Sequence, residues 1–280
     1  MNALNQCDLD YIRELVRSHS AIVLEQDKNY LIETRLGPLA RELGLASLQD
    51  LMVSLRARRI NNLDHRIVEA ITTHETLFFR DVHPFEALRT VILPELIAKR
   101  PLSQNLTIWC AACSSGQEPF SVAMLAREHF PALVRANRLR IVATDLSNAI
   151  LSRARQGVYS QIEVNRGLPG AMLIKYFTKQ GLQWQIKPEI RRMVEFQQCN
   201  LATAWPSLPP LDLIFIRNVL IYFGVDTKKA ILAKVRAVLK PDGYLFLGTS
   251  ETTLNLDGAF EPVLIGKTLC YQLQGAARIA

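Results

Sequence analysis

Four short apolar runs separated by helical stretches limit the possible folds of this chain more than any other feature. Leu106–Ala111 (LTIWCA), Leu139–Asp145 (LRIVATD), Leu211–Asn218 (LDLIFIRN) and Tyr244–Gly248 are nearly continuous in apolar residues. Strands read this way when both faces of a parallel sheet are covered by helices. The intervening segments Glu118–Phe130, Ser147–Gln156 and Asp226–Leu239 carry helical patterns, and KPDG turns the last of them into the fourth strand. The alternation predicts an α/β fold with a doubly wound sheet. GKTLCYQL near the end reads as a terminal strand in an antiparallel hairpin with the stretch after Phe260. A further helix is expected near Pro84–Lys99. Polar, alternating LQWQIKPEIRRMVEF breaks the rhythm and predicts a small β-rich insertion at about 158–198.

The first part of the chain has a different period. Leu9, Ile12, Leu15, Val16, Tyr30, Leu31, Leu36, Leu39, Leu43, Leu48, Leu51, Met52 and Leu55 recur at helical spacing. They predict a helical domain over 1–80, ahead of a sheet domain over 81–280. Breaks are expected at GPLARELG, around Gly37 and Gly44, and at ARRINNLD, where Asn61 and Asn62 are candidate helix caps. With 280 residues, 49% of them hydrophobic and 21% charged, the composition is that of a folded protein and excludes a disordered tail. No run reaches the roughly 18 apolar residues of a membrane span, and MNALNQCDLDYIREL has no secretory pattern, so a cytoplasmic location is expected. Five scattered cysteines fit reduced thiols. A net charge of +7 favours acidic partners without naming them.

In a doubly wound sheet the ligand sits beyond the carboxyl ends of the strands. The first end is CAACSSGQEPF, with one glycine, Gly116, and an acid, Glu118, at the helix start. A pyrophosphate needs more glycines and a helix N-terminus free of negative charge, so this loop suits a cationic ligand without phosphates. Asp145 closes the second strand, where an acid bridges ribose hydroxyls or, alternatively, only caps the next helix. Asn218 closes the third. A ribose, an adenine and a cationic amino-acid tail match this set, and S-adenosylmethionine combines all three. The pair Cys110 and Cys113 has no second Cys or His pair at metal-ligand spacing, and His19, His65, His74, His83 and His129 are dispersed, so no metal is expected.

Five ordered motifs then carry a resemblance: THETLFFRDVHPF (Thr73–Phe85), AACSSGQEPFSVA (Ala111–Ala123), ATDLS (Ala143–Ser147), CNL (Cys199–Leu201) and IRNVLIYF (Ile216–Phe223). Together they resemble the CheR family of chemotaxis receptor methyltransferases over nearly the whole chain. The resemblance implies a class I methyltransferase sheet with an N-terminal helical domain and an inserted β subdomain. It also implies methyl transfer from S-adenosylmethionine to receptor glutamates, leaving glutamate methyl esters and S-adenosylhomocysteine. Carried over residue by residue, it assigns cofactor contacts to His74, Thr76, Arg80, Glu118, Asp145, Asn200, Leu201, Asn218 and Val219. The family often has Asn at the position of His74. Implied partners are the cytoplasmic helical region of chemotaxis receptors and a receptor C-terminal peptide at the β subdomain, where TKQGLQWQ (Thr178–Gln185) forms a turn.

Within this reading Arg80 and Tyr222 are the candidates for orienting the acceptor carboxylate, a guanidinium by a two-pronged grip and a phenol by one hydrogen bond. For Tyr222 the alternative is core packing beside Phe223. Residues 8–75 carry nine Lys+Arg against eleven Asp+Glu, yet Arg56, Arg58, Arg59 and Arg66 form a local basic knot. It reads either as a solvated face or as a dock for an acidic receptor helix. A non-catalytic module that senses S-adenosylmethionine or a nucleotide is the competing function. A nucleic-acid methyltransferase is a third, disfavoured because SLPPLD at Ser207–Asp212 does not match a flipped-base motif.

Overall fold

A computed structural model describes residues 4–275. They pack as two compact units, residues up to Thr73 together with Tyr222–Lys228, and His74–Ile221 together with Lys229 onward. The division falls after Thr73 and not after residue 80. The reason is packing: Phe78 is fully buried with its ring edge-on to Tyr159 and Phe177, and the Ser114 hydroxyl donates to the His74 carbonyl at 2.8 Å. Tyr222–Lys228 groups with the helices because Phe223 bridges Ile22 and the Val23 N–H donates to the Tyr222 carbonyl at 2.9 Å.

The helical unit contains α1 (Gln6–Ser20), α2 (Asn29–Glu42), α3 (Leu48–Arg56) and α4 (Leu63–Ile71). Asn5 and Ser47 cap α1 and α3 by accepting from the N–H groups of Asp8 and Asp50. Asn62 stands at the start of α4 in a left-handed conformation, but its side chain makes no capping bond. The break expected at Gly37 does not occur, since α2 runs through Gly37 and Pro38 to Glu42. Ile32, Leu36, Leu39 and Ala40 are buried on both sides of the proline, and that burial outweighs the hydrogen bond the proline cannot make.

In the sheet unit α5 (His83–Ala87) continues through a π-helical turn at Leu88–Ile92 into α6 (Leu93–Lys99). The chain then alternates as the sequence predicts: β1 (Leu106–Ala111), α7 (Gln117–His129), α8 (Pro131–Arg135), β2 (Leu139–Asp145) and α9 (Asn148–Gln156). The insertion follows, with β3 (Val158–Ser160), α10 (Gln161–Asn165), α11 (Gly170–Tyr176), β4 (Phe177–Gln180), β5 (Gln183–Ile186) and α12 (Pro188–Arg191). Its strands form a separate antiparallel sheet in the order β3-β5-β4. The last stretch assigned to it, β6 (Val194–Gln198), belongs instead to the main sheet and pairs in parallel with β2. β7 (Leu211–Ile216), α13 (Val225–Val238), β8 (Leu239–Leu247), β9 (Phe260–Ile265) and β10 (Thr268–Leu273) complete the main sheet.

Its order is β6-β2-β1-β7-β8-β10-β9, with β9 and β10 in the expected antiparallel hairpin. β1 pairs in parallel with β2 on one side and with β7 on the other. The crossover direction therefore reverses at β1, and the crevice at the carboxyl ends of β1, β2 and β7 is where this topology opens a ligand site.

Candidate functional site

The loop leaving β1 is held in an uncommon shape. Ala112 and Ser114 have φ values of +51° and Gly116 has +92°, and Asn218, just beyond β7, has +58°. Non-glycine residues in this region cost about 1–3 kcal/mol each and persist only where the surroundings hold them. Here Asp145 is the holding group. Its Oδ2 accepts from the Ser114 N–H at 2.8 Å and its Oδ1 from the Ser147 N–H at 3.1 Å. The cap of α9 is Ser147, whose hydroxyl accepts from the Ile150 N–H. Asp145 is thus not consumed in capping α9, and the Leu146 N–H is a third backbone donor to its carboxylate. Burial pushes its carboxyl above the usual range, while the Ser147 N–H, the nearby His74 and the Ser114 N–H pull the other way.

The second part of the site is a buried charge cluster. Arg217 donates through Nη1 to Glu118 Oε2 at 2.9 Å, and through Nη2 to Asp81 Oδ2 at 2.5 Å and to the Arg80 carbonyl at 3.1 Å. The Glu118 that suits a cationic ligand tail also holds, through Oε2, a cation from the chain itself. Burial raises the Glu118 carboxyl, and the charges of Arg217 and, more weakly, Arg80 oppose this. Arg80 is half-buried, and its guanidinium donates to the Glu75 carbonyl at 3.2 Å.

The third part centres on a residue the sequence reading missed. Glu251 Oε2 accepts from the N–H groups of Asn218 at 2.7 Å and Gly248 at 2.6 Å, and Oε1 from Val219 at 2.8 Å and Ile221 at 3.3 Å. One carboxylate thereby fixes the loop after β7. A side chain at position 248 would place its Cβ 2.7 Å from Glu251 Oε2 and 2.8 Å from the Asn218 amide, so only glycine fits. Arg217 was also missed. Its signal was a lone cation ending the apolar run IFI, whereas Glu251 lies in a polar loop with no pattern to mark it.

The sheet unit therefore holds these residues in three groups of contacts: His74 with Asp145 through Ser114, Arg80 with Glu118 through Arg217, and Asn218 with Val219 through Glu251. Asn200 and Leu201 follow β6: the Cys199 N–H donates to the Asp145 carbonyl at 2.9 Å, Asn200 Oδ1 accepts from the Ala202 N–H, and the Leu201 carbonyl accepts from Trp205 Nε1 and Lys234 Nζ. Thr76 is half-buried in the segment after His74. Tyr222 belongs to the compact unit of the helices, where its carbonyl accepts from Val23. In that unit Arg56 is engaged with the buried Asp8 at 2.7 Å and lies over the Tyr11 ring, and Arg66 pairs with Glu42 at 2.8 Å. Arg58 and Arg59 are exposed and make no ion pair among the described residues. Cys110 and Cys113 are buried, and burial raises both thiols well above their usual range, which makes them poor nucleophiles.

These residues fit S-adenosylmethionine. The Asn218 amide oxygen is buried without a hydrogen-bond partner, an acceptor left for a donor such as the ligand's ammonium. Asp145 would present its carboxylate to ribose hydroxyls at the end of β2, and Glu118 keeps a negative field at the start of α7.

Residues 74–268 match the CheR methyltransferase SAM binding domain, and residues 8–72 match the CheR methyltransferase all-alpha domain. The chain is 40% identical to the chemotaxis protein methyltransferase Cher2 of Pseudomonas putida, over 95% of this chain and 97% of that one. It is 41% identical to chemotaxis protein methyltransferase 1 of Pseudomonas aeruginosa, over 97% and 99%. A chemotaxis protein methyltransferase of Vibrio parahaemolyticus is 38% identical over 98% and 100%. The helices before Thr73, and the doubly wound sheet with its acid at the end of β2 and its strained loop after β1, are thus the two parts of one known architecture, and the chain belongs to the CheR methyltransferase family, with S-adenosylmethionine as its cofactor.

Proposed function

We propose that this protein transfers methyl groups to glutamate side chains in the cytoplasmic helical region of chemotaxis receptors. The observation that carries the reading is the state of the site's own acids: Asp145, Glu118 and Glu251 are all engaged by donors of the chain, so none is placed to serve as a general base. An acceptor that is already an anion needs no base. A glutamate carboxylate, with a reference pKa of about 4.3, meets that requirement at neutral pH. The full-length similarity to chemotaxis protein methyltransferases supports the same substrate class.

When bound, S-adenosylmethionine supplies a methyl group activated on a sulfonium. Asp145 would hold the ribose, Asn200 and Leu201 the adenine side, and Asn218, with Val219, the amino-acid tail. His74 and Thr76 line the segment that enters the site. Arg80 and Tyr222 are the candidates for orienting the incoming carboxylate. A firm grip would quench the nucleophile, so alignment is their contribution.

The test is methyl transfer from labelled S-adenosylmethionine to receptor-bearing membranes, with tRNA and DNA as controls. Label should appear in the receptor as base-labile methyl esters. Base-stable label, or label only in nucleic acid, would overturn the assignment, and cofactor binding without transfer to any of them would favour the sensing module. Arg80→Ala should lower kcat by about tenfold, the scale of one charge-assisted hydrogen bond, with little change in Tm. Equal losses in rate and stability would mark Arg80 as structural.

Docking is assigned to the basic knot, now reduced to Arg58 and Arg59 with Arg56 and Arg66 as secondary contributors. Raising salt to about 0.5 M shortens the Debye length to roughly 4 Å, so receptor methylation should slow while cofactor affinity changes little. Arg58→Glu with Arg59→Glu should reproduce that slowing at low salt. If the double variant matches the parent across the salt series, the β insertion becomes the docking surface. There the outer strand β4 offers a backbone edge to which a receptor C-terminal peptide would add as a strand. No helix among the described residues is long and apolar enough to cross a membrane.

A further inference from the structure

His19 is far in sequence from the adjacent pair Asp64 and His65, yet the three meet in the helical unit. His19 is in the last turn of α1, and Asp64 and His65 are in the first turn of α4. One ligand atom from each lies within 4.8 Å of the others. The two imidazoles are edge-on, with centroids 5.4 Å apart.

The proton arrangement on His19 is constrained. Its Nδ1 lies 2.9 Å from the Leu15 carbonyl, which can only accept, so Nδ1 carries a hydrogen. The neutral ring then turns the Nε2 lone pair toward Asp64 Oδ2, 3.4 Å away. A lone pair facing a carboxylate repels it unless a cation lies between them, either a second proton or a metal ion. The separation exceeds the ordinary N–H···O range of about 2.7–3.2 Å. It agrees with the edge of a tetrahedron whose metal–ligand bonds are about 2.0–2.1 Å. Two further features suit a metal. The Nδ1–H···O=C bond to Leu15 is the outer contact that fixes a ligating imidazole, and Asp64 is oriented by accepting the His65 N–H on Oδ1 at 2.9 Å. A cation here also lies at the carboxyl end of α1, where positive charge is favourable.

We propose that His19, Asp64 and His65 form a binding site for one divalent transition-metal ion of the zinc class, tying the end of α1 to the start of α4. Two imidazoles and a carboxylate are its ligands, and the remaining coordination is left to water.

The experiment uses the untagged full-length chain, stripped with a chelator. Zinc is titrated by calorimetry and cobalt by visible absorbance. One ion per chain should bind, with the absorption of a nitrogen- and oxygen-ligated cobalt centre. Zinc at a hundredfold excess over its Kd should raise Tm by about 5 °C. His19→Ala and His65→Ala should each weaken binding by at least about 10–100-fold, the loss that even outer-contact changes cause. Cys7→Ser, His83→Ala and His129→Ala should leave it unchanged. His65 is exposed, so its variant keeps the fold and decides the matter if His19→Ala does not fold. No binding, or binding indifferent to His65→Ala, would overturn the site and leave a proton as the cation between His19 and Asp64.

Discussion

Replacing Arg217 by methionine should lower the unfolding free energy by about 3–5 kcal/mol, the scale of a buried ion pair broken from one side. The side chain of Arg217 is 2% exposed, and it satisfies Glu118, Asp81 and the Arg80 carbonyl together. Methionine fills much of the volume but leaves Glu118 as a buried carboxylate without its cation. The pH dependence has a defined sign. Burial already raises the Glu118 carboxyl, and loss of the guanidinium raises it further, above its value in the unfolded chain. The folded variant then holds a proton that the unfolded chain releases, so the penalty is small below the ordinary carboxylate range and grows as pH rises through and above it. Urea unfolding at pH 5 and pH 8 measures this. Adding Glu118→Gln should recover most of the loss at pH 8, because a neutral amide needs no cation. A penalty that is the same at both pH values and unrelieved by Glu118→Gln would show that packing, not charge, is what Arg217 supplies.

The main sheet was legible because its signal is local. Each of β1, β2 and β7 is buried along all or most of its length, and such runs announce themselves in the sequence. The errors arose where tertiary packing overrode local signals. Gly37 and Pro38 read as a break, but the apolar residues around them hold α2 together. Val194–Gln198 alternates like an edge strand of a small sheet, and its parallel pairing with β2 is a long-range event that the alternation does not encode. The segment 74–80 reads as the end of the helical domain, although Phe78 anchors it in the core of the sheet unit.

The site divides in the same way. Asp145 and Asn218 could be found because topology names the strand ends. Glu251 could not, since three of the four backbone N–H groups it accepts, those of Asn218, Val219 and Ile221, are brought near only by folding. Glu118 could be found in the same way, but its partner within the chain could not: Arg217 is 99 residues away and nothing in the spacing links them. His19 and His65 looked dispersed for the same reason.

Asp145→Ala should weaken binding of S-adenosylmethionine by about 1–3 kcal/mol, roughly 5- to 150-fold, because ribose hydroxyls lose an acceptor that water cannot replace in a buried site. The substitution also strips the Ser114 and Ser147 N–H groups of their acceptor, so the strained loop after β1 loosens and Tm falls with affinity. Asp145→Asn separates the two effects. An amide still accepts from one of these N–H groups but turns a donor toward the other, and it carries no charge. Only the ionised carboxylate accepts on both oxygens. Burial lifts the Asp145 carboxyl, so cofactor affinity of the parent should fall as pH is lowered toward and through that raised value. The affinity of Asp145→Asn should be weaker at neutral pH and flat over the same interval, so the two curves converge in acid. Calorimetry of S-adenosylmethionine binding across that pH range reads both curves. A parent curve as flat as that of Asp145→Asn, or an unchanged affinity in Asp145→Ala, would remove Asp145 from the ribose and leave it only the task of holding the loop.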